Sequence, residues 1–373
     1  MRKVVFVINS LTGGGAERIM ARLLSHSGDR TDAAELHLVL LDDEPIAYEI
    51  PASVHIHQLD AEGSMLNASI PFWRLVGALK PDICVSFLTR SNLLAIATCR
   101  LRGIRCVISE RVNTSSHHPK SFGGNLARLA TRLFYPLADR TIAVSAGIAE
   151  DLAKNYGVPA EKISIIANPI DGDFIRGRGA EAAQIDYPRP LVVGMGRLVP
   201  NKNFSLLVDA YARWGGKGTL LIMGDGPLRR ELEAQIAQLG LEQRIMLPGF
   251  QTNPFSAIAA ADCYVLPSNG EGFPNGLVEA MILGTPVIST NCHSGPAEIL
   301  DDRPYFEVDG VTQGKYGLLV PTNDAIALAD ALAIALAPGQ RQSMSARALE
   351  GTARYGLEAT IDRYWGAIEG TEA

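Results

Sequence analysis

The stretch "VVFVINSLTGGGAERIMARLLS" (residues 4–25) reads as a strand, a glycine-rich turn and a helix in direct succession. Its first residues are apolar without alternation, as in a strand covered on both faces. Apolar positions then recur at helical spacing. The pattern continues through "ELHLVLL", "VHIHQL", "FWRLVGALK", "DICVSF", "NLLAIATCRL", "IRCVIS", "NLARLATRLFYPL", "RTIAVS" and "AGIAEDLAKNYG". Apolar strands alternating with amphipathic helices predict a parallel sheet with helices on both faces. After "ISIIANPIDGDF" the alternation stops, and residues 168–190, rich in Gly, Pro, Asp and Arg, read as a linker. A second series follows, from "LVVGMG" and "FSLLVDAYARW" to "YGLLVP" and "DAIALADALAIAL". The expected fold is α/β, with two Rossmann-like domains over residues 1–168 and 169–354 and an interdomain cleft. A last helical segment, "GLEATIDRYWGAI", lies beyond the second series.

Composition agrees with a well-packed chain: 373 residues, 47% apolar and 20% charged. No N-terminal segment has the form of a signal peptide, and "KVVFVINS" is too short to span a bilayer. The five cysteines show no C-x-x-C pair or zinc spacing, so buried, reduced thiols and a cytoplasmic location are expected. The net charge of −6 conceals an asymmetry. From Arg90 to Arg140 nine Lys and Arg residues face only Glu110 and Asp139. That stretch is a docking surface for an anionic partner or a solvated face whose arginines pair elsewhere.

Ligands of such sheets bind outside the carboxyl ends of the strands, so the loops there carry the chemistry. Gly13, Gly14 and Gly15 precede a helix with Glu17 and Arg18, and allow backbone N–H groups to approach a ligand. They match neither a P-loop nor the dinucleotide fingerprint, and alone they read rather as a tight strand–helix connection. In "GMGRLVPNKNF", Arg197 and Lys202 lie between a strand end and a helix start, with Asn203 as the expected cap. Two cations there suit a diphosphate, although either alone reads as a surface cation. In "EGFPNGLVE", Glu271 and Glu279 flank a turn and a helix start, with Pro274 suited to the first turn and free amide N–H groups around Phe273, Asn275 and Gly276 that point to an anion site. Asp171-Gly-Asp173 reads as a turn or cap, and no histidine has zinc-ligand spacing. A glycosidase-type carboxylate pair would leave the neighbouring cations unexplained.

Together these pieces resemble the retaining family-4 glycosyltransferases of the GT-B fold. The matching segments are "GGGAER", "NPID", "GRLVPNKNF", "GDGP", "LPGF", "EGFPNGLVE", "GPAEIL" and "GLLVP", in the family's order over nearly the whole chain. The resemblance implies a donor domain at residues 169–354 and an acceptor domain at residues 1–168, joined by the crossover helix of residues 355–373. Arg197 and Lys202 would neutralise the donor diphosphate. Glu271 and the Phe273, Pro274 and Asn275 backbone would hold sugar and phosphate, and Glu279 the ribose hydroxyls. Met246 and Phe250 would border the base, and Gly14 and Gly15 the donor phosphates. Transfer would retain anomeric configuration by front-face attack, with no metal and no cofactor beyond the nucleotide-sugar co-substrate.

"GGGAER", "SERVN" and "GPAEIL" look most like the subgroup that extends lipid-linked or surface oligosaccharides, often from a UDP-hexose or UDP-N-acetylhexosamine. Partners implied are the nucleotide-sugar, a glycan or lipid-linked glycan acceptor and an anionic membrane, at the inner face of the cell membrane, with no nucleic acid. Glu17, Arg111, His118, Arg128 and Arg132 are the acceptor or membrane candidates. In the helix-like "NLARLATRLFYPL", Leu126, Leu129 and Leu133 stand beside Arg128 and Arg132, which fits a lipid surface or a core-facing helix with a charged outer face. One departure stands out: where many members carry a histidine, "CVISERVN" has Glu110-Arg111. Two other readings are a nucleotide-sugar 2-epimerase-type isomerase and a non-catalytic scaffold. The intact Arg197, Lys202, Glu271 and Glu279 favour transfer.

Overall fold

The computed structural model describes residues 2–28, 34–117, 122–181, 187–215 and 218–371. The chain divides into two compact units, one of Met1–Pro169 with Leu357–Ala373 and one of Ile170–Gly356. Unit 1 is built on strands β1 (Arg2–Ile8), β2 (Ala34–Leu40), β3 (Val54–Gln58), β4 (Ile83–Phe87), β5 (Arg105–Glu110), β6 (Arg140–Ala143) and β7 (Ile163–Ile165). They form one parallel sheet in the order β3-β2-β1-β4-β5-β6-β7. Unit 2 holds β8 (Leu191–Met195), β9 (Thr219–Met223), β10 (Ile245–Gly249), β11 (Cys263–Leu266), β12 (Val287–Thr290), β13 (Thr312–Gln313) and β14 (Leu318–Val320). Their order is β10-β9-β8-β11-β12-β14-β13, parallel except for β13 against β14.

In both sheets the order reverses beside the unit's first strand, between β1 and β4 and between β8 and β11. At such a reversal the two crossovers leave in opposite directions and open a crevice at the strands' carboxyl ends. The loops of the sequence-predicted site follow β1, β8 and β11, so the topology gathers them at these points.

The unit 1 core joins Val4, Phe6, Ile8, Leu38, Val85 and Phe87 to Ile361, Tyr364 and Trp365 of the helix Leu357–Glu369. Trp365 stands edge-on to Phe6 at 5.8 Å. Arg105 donates to the Ile368 and Ala367 carbonyls at 3.0 and 3.2 Å, satisfying acceptors in that helix's last turn. Each such large side chain stabilises the fold by about 1.5–3 kcal/mol through burial. Unit 2 has its own core of Val192, Leu207, Tyr211, Ile222, Val265 and Leu328.

Residues 168–190 are not simply a linker. They contain the helix Gly172–Gly179, and Asp171 caps it by accepting from the Phe174 amide at 2.9 Å. Phe174 packs edge-on against Phe255, and Ile175 is buried. Packing and a cap override the poor helix propensity of its three glycines. All five cysteines are buried, free thiols. No helix among the described residues is long and apolar enough to cross a membrane.

Candidate active site

The loops after β8 and β11 are laced together in unit 2. Lys202 Nζ lies 2.6 Å from Glu271 Oε1, and Ser268 Oγ donates to the same oxygen at 2.6 Å. Asn269 N donates to Asn201 O at 2.8 Å, and Asn201 Nδ2 to Gly270 O at 3.3 Å. Asn203 caps the helix Phe204–Trp214 by position only. It sits at φ +49° and its side-chain amide reaches Asn269 and Asn323 instead. The expected helix cap is therefore a strap between loops.

Arg197 is exposed, and no ion pair engages it among the described residues. Its loop rests on "GDGP": Leu198 N donates to Asp225 O at 2.9 Å and Leu228 N to Leu198 O at 3.1 Å. The two backbones meet closely enough that a Cβ on Gly226 would stand 2.4 Å from Leu198 O. That approach explains the glycine.

Glu271 is nearly buried, with 8% of its side chain exposed, and Glu279 is buried within the helix Asn275–Ile282. Both carboxylates act on Tyr264. Its hydroxyl pKa is raised first by burial, then by Glu279 and Glu271. A Cβ on Gly276 would lie 2.6 Å from Tyr264 Oη, so the glycine makes room for that phenol. Pro274 takes the cap position of this helix with no side-chain cap, and Asn275 opens it. Phe273 packs edge-on against Tyr355 at 5.3 Å. Gly295, at φ +96°, lies so close that a Cβ would meet Pro274 Cδ at 2.6 Å, which brings "GPAEIL" against "EGFP". Burial and the Glu271 charge push the Cys292 thiol up to about 12. This cysteine lies just beyond β12, buried and reduced as expected, and no motif marks its closeness to Glu271. Met246 is half-buried on β10 and Phe250, just beyond that strand, is 79% exposed.

In unit 1 the helix Gly15–Ser25 starts after Gly14, with no side-chain cap. The Glu17 carboxylate folds back so that a Cβ on Gly14 would meet it at 2.2 Å, while Tyr48 Oη donates to Gly14 O at 3.0 Å. Gly13, Gly14 and Gly15 are all exposed.

Arg111 is not a surface group. It is 8% exposed, donates to Ser109 Oγ at 3.2 Å, Tyr364 Oη at 3.1 Å and Asn168 Oδ1, and stacks on Phe87. Glu110 beside it is fully buried; it accepts from Tyr135 Oη at 2.6 Å and from the Arg111 amide at 3.0 Å. Burial raises the Glu110 pKa against those bonds. The pair at the end of β5 thus holds unit 1 together, and a membrane role for Arg111 does not fit its burial. His118 lies outside the described residues. Arg132 is exposed and Arg128 half-buried on the helix Phe122–Phe134. Leu126, Leu129 and Leu133 are exposed, so the helix packs inward through Gly124 and Thr131 and not through its leucines. Among the described residues no group of three or more His, Cys, Asp or Glu is arranged to hold a metal.

Comparison with known proteins places these features in context. A model described as "Glycosyl transferases group 1" matches residues 189–337, and one described as "Glycosyltransferase Family 4" matches residues 13–174. A Campylobacter jejuni N-acetylgalactosamine-N,N'-diacetylbacillosaminyl-diphospho-undecaprenol 4-alpha-N-acetylgalactosaminyltransferase is 34% identical over 340 residues, covering 87% of this chain and 91% of that protein. Among solved structures, Anabaena HepE in complex with UDP is similar with a TM-score of 0.78 at 20% identity, covering 99% of this chain and all of HepE. Sucrose-phosphate synthase from Thermosynechococcus elongatus reaches the same TM-score at 18% identity, covering 100% and 99%. At such identities the structural likeness speaks for the fold alone.

Proposed function

The chain belongs to the glycosyltransferases of group 1 and family 4, and on that premise we propose that it moves a hexose or N-acetylhexosamine from a UDP-sugar to a lipid-diphosphate-linked glycan. The observation that carries this reading is the convergence of Lys202, Ser268 and Glu271 at the order reversal of the second sheet. The relative's name, which specifies a diphospho-undecaprenol acceptor, supports the acceptor class.

In this reading unit 2 binds the donor. Lys202 and Arg197 meet the diphosphate, where two cations stabilise the negative charge that grows as the sugar–phosphate bond breaks. Glu271 orients the sugar from the loop and Glu279 the ribose from the helix. The helix start at Pro274 and Asn275 directs its positive end at a phosphate. Phe273, Met246 and Phe250 border the nucleotide, Gly14 and Gly15 offer their backbone to a donor phosphate, and Glu17 serves the acceptor. The bond from sugar C1 to the diphosphate oxygen breaks, the bond from C1 to the acceptor oxygen forms on the same face, and the acceptor proton passes to the departing diphosphate. Arg197 and Lys202 take the charge-neutralising part, so the reaction proceeds without a divalent ion. Contact with an anionic membrane through Arg128 and Arg132 belongs to the same reading.

Incubation with UDP- and GDP-sugars, with and without a lipid-diphosphate glycan acceptor and with EDTA, tests it. The expected result is acceptor-dependent release of UDP that persists in EDTA, with the product's anomeric configuration equal to the donor's. Epimerised donor in the absence of acceptor would favour an isomerase. Loss of turnover in EDTA overturns the metal-free mechanism.

A further inference from the structure

In β4, Val85 and Phe87 face the core with the helix Leu357–Glu369, while Ser86 faces the other way and bonds Asn92 at 2.8 Å. On that second side the helices Met65–Leu79, Thr89–Arg102 and Phe122–Phe134 pack side by side in this order. Together they contain six arginines and no Asp or Glu. Arg90 turns aside to Asp42 and Asn9. Arg74, Arg100 and Arg132 are exposed, and Arg102 lies 3.8 Å over the Trp73 ring.

Between these arginines the layer also exposes large apolar side chains. Leu66, Ile70 and Trp73 follow one another at helical spacing, with Leu66 83% exposed, while Ala68, Phe72 and Val76 pack inward. Leu101, 77% exposed, stands on the next helix, and Leu126, Leu129 and Leu133 line the third. Between the first two helices runs a groove of about 290 Å³ lined by Ile70, Trp73, Leu94, Ala97 and Leu101. An exposed apolar surface of this extent marks an interaction site. Arginines interleaved with Leu and Trp, with no carboxylate on the same helices, complement an anionic lipid surface. A second copy of the face would bring like charges together.

We propose that these three helices form one docking face for an anionic phospholipid bilayer. Leu66, Ile70, Trp73 and Leu101 enter the boundary between headgroups and acyl chains, and Arg74, Arg100, Arg128 and Arg132 meet lipid phosphates. The inference deepens the lipid-linked reading above, and widens the contact from one helix to a layer. It rests on that reading only for its purpose.

The test is flotation of the full chain with phosphatidylcholine vesicles, with and without phosphatidylglycerol. Tryptophan emission and UDP binding are read on the same samples. Binding is expected on anionic vesicles only, with a blue-shifted emission that Trp73→Phe removes. Arg74→Gln and Arg100→Gln should each weaken partitioning about fivefold. Ile70→Glu with Leu101→Glu should abolish it while UDP binding stays unchanged. Equal binding to neutral vesicles, no binding at all, or concentration-dependent self-association in place of vesicle binding each overturns the proposal. Flotation without UDP binding would sink the functional reading and leave the docking face standing. The arginine variants leave the apolar packing intact, so they decide the matter even if the double glutamate variant misfolds.

Discussion

Lys202 and Glu271 are bound to each other, Nζ to Oε1 at 2.6 Å, at the place where a donor diphosphate and sugar are proposed to sit. The lysine must therefore divide its charge between a carboxylate and an incoming phosphate, and Ser268 keeps Glu271 in place while it does so. Glu271→Gln keeps the shape and removes the competing charge. UDP affinity should hold or rise, while kcat for sugar transfer falls about 10²–10³-fold. Isothermal titration beside steady-state kinetics separates the two; equal losses in both would show that Glu271 serves only to hold the loop.

Lys202→Ala should do more, because it takes the cation from a nearly buried carboxylate and leaves it the Ser268 hydroxyl. Stability should fall by about 1–3 kcal/mol in denaturant unfolding, and UDP binding should weaken strongly. Lys202→Arg should recover stability better than turnover, since the planar fork does not reproduce a point charge.

Gly276 is the residue that admits the Tyr264 phenol under the helix Asn275–Ile282. Gly276→Ala should cost about 1–3 kcal/mol by overpacking. The double variant Gly276→Ala with Tyr264→Phe should regain part of that loss. A thermodynamic cycle of the four proteins measures the coupling, and simple additivity would contradict the contact.

A cluster on the first sheet should make the chain acid-sensitive. His37 Nδ1 lies 3.1 Å from His57 Nε2, His55 is stacked 5.1 Å from His37, and Glu35 and Lys3 complete the row. Burial lowers the His37 pKa, opposed by Glu35 and reinforced by His57 and His55. Burial and His55 lower that of His57. With folded values below the ordinary 6.5, the unfolded chain takes up protons first, so stability is full above that pH and drains away as pH falls through it. Melting temperature measured from about pH 8 to about pH 5 should decline below about 6.5. His57→Gln should flatten the slope.

Arg111→Ala should destabilise unit 1 by about 2–3 kcal/mol by removing the buried donor that Ser109, Asn168 and Tyr364 share. Vesicle binding should not change. A lost affinity for lipid with unaltered stability would return Arg111 to the surface role that its burial argues against.

The series of strands was legible because a parallel sheet buried on both faces writes itself as apolar runs. The site loops were legible because they sit at strand ends with glycines and paired cations. Strand order was not, since which edge a crossover joins depends on the whole sheet. Residues 172–179 look like loop because helix propensity is local, whereas the contacts of Phe174 and Ile175 are not. Arg111 was misplaced for a related reason: a charged residue reads as exposed until Ser109, Asn168 and Tyr364 surround it. The outward leucines of the helix Phe122–Phe134 have the right period for either side, and only the neighbouring helices decide which side they take.

The helix Leu357–Glu369 completes the core of the unit that holds the first strand, yet it is encoded after all of unit 2. The two crossings between units, at residues 169–170 and 356–357, are brought together by the parallel bridge of Ile170 with Gly356. On the ribosome, therefore, the second unit can close while the first still waits for Tyr364 and Trp365. Unit 1 starts before unit 2 yet is completed after it, and the apolar side of β1 is covered only once residues 357–369 have been translated.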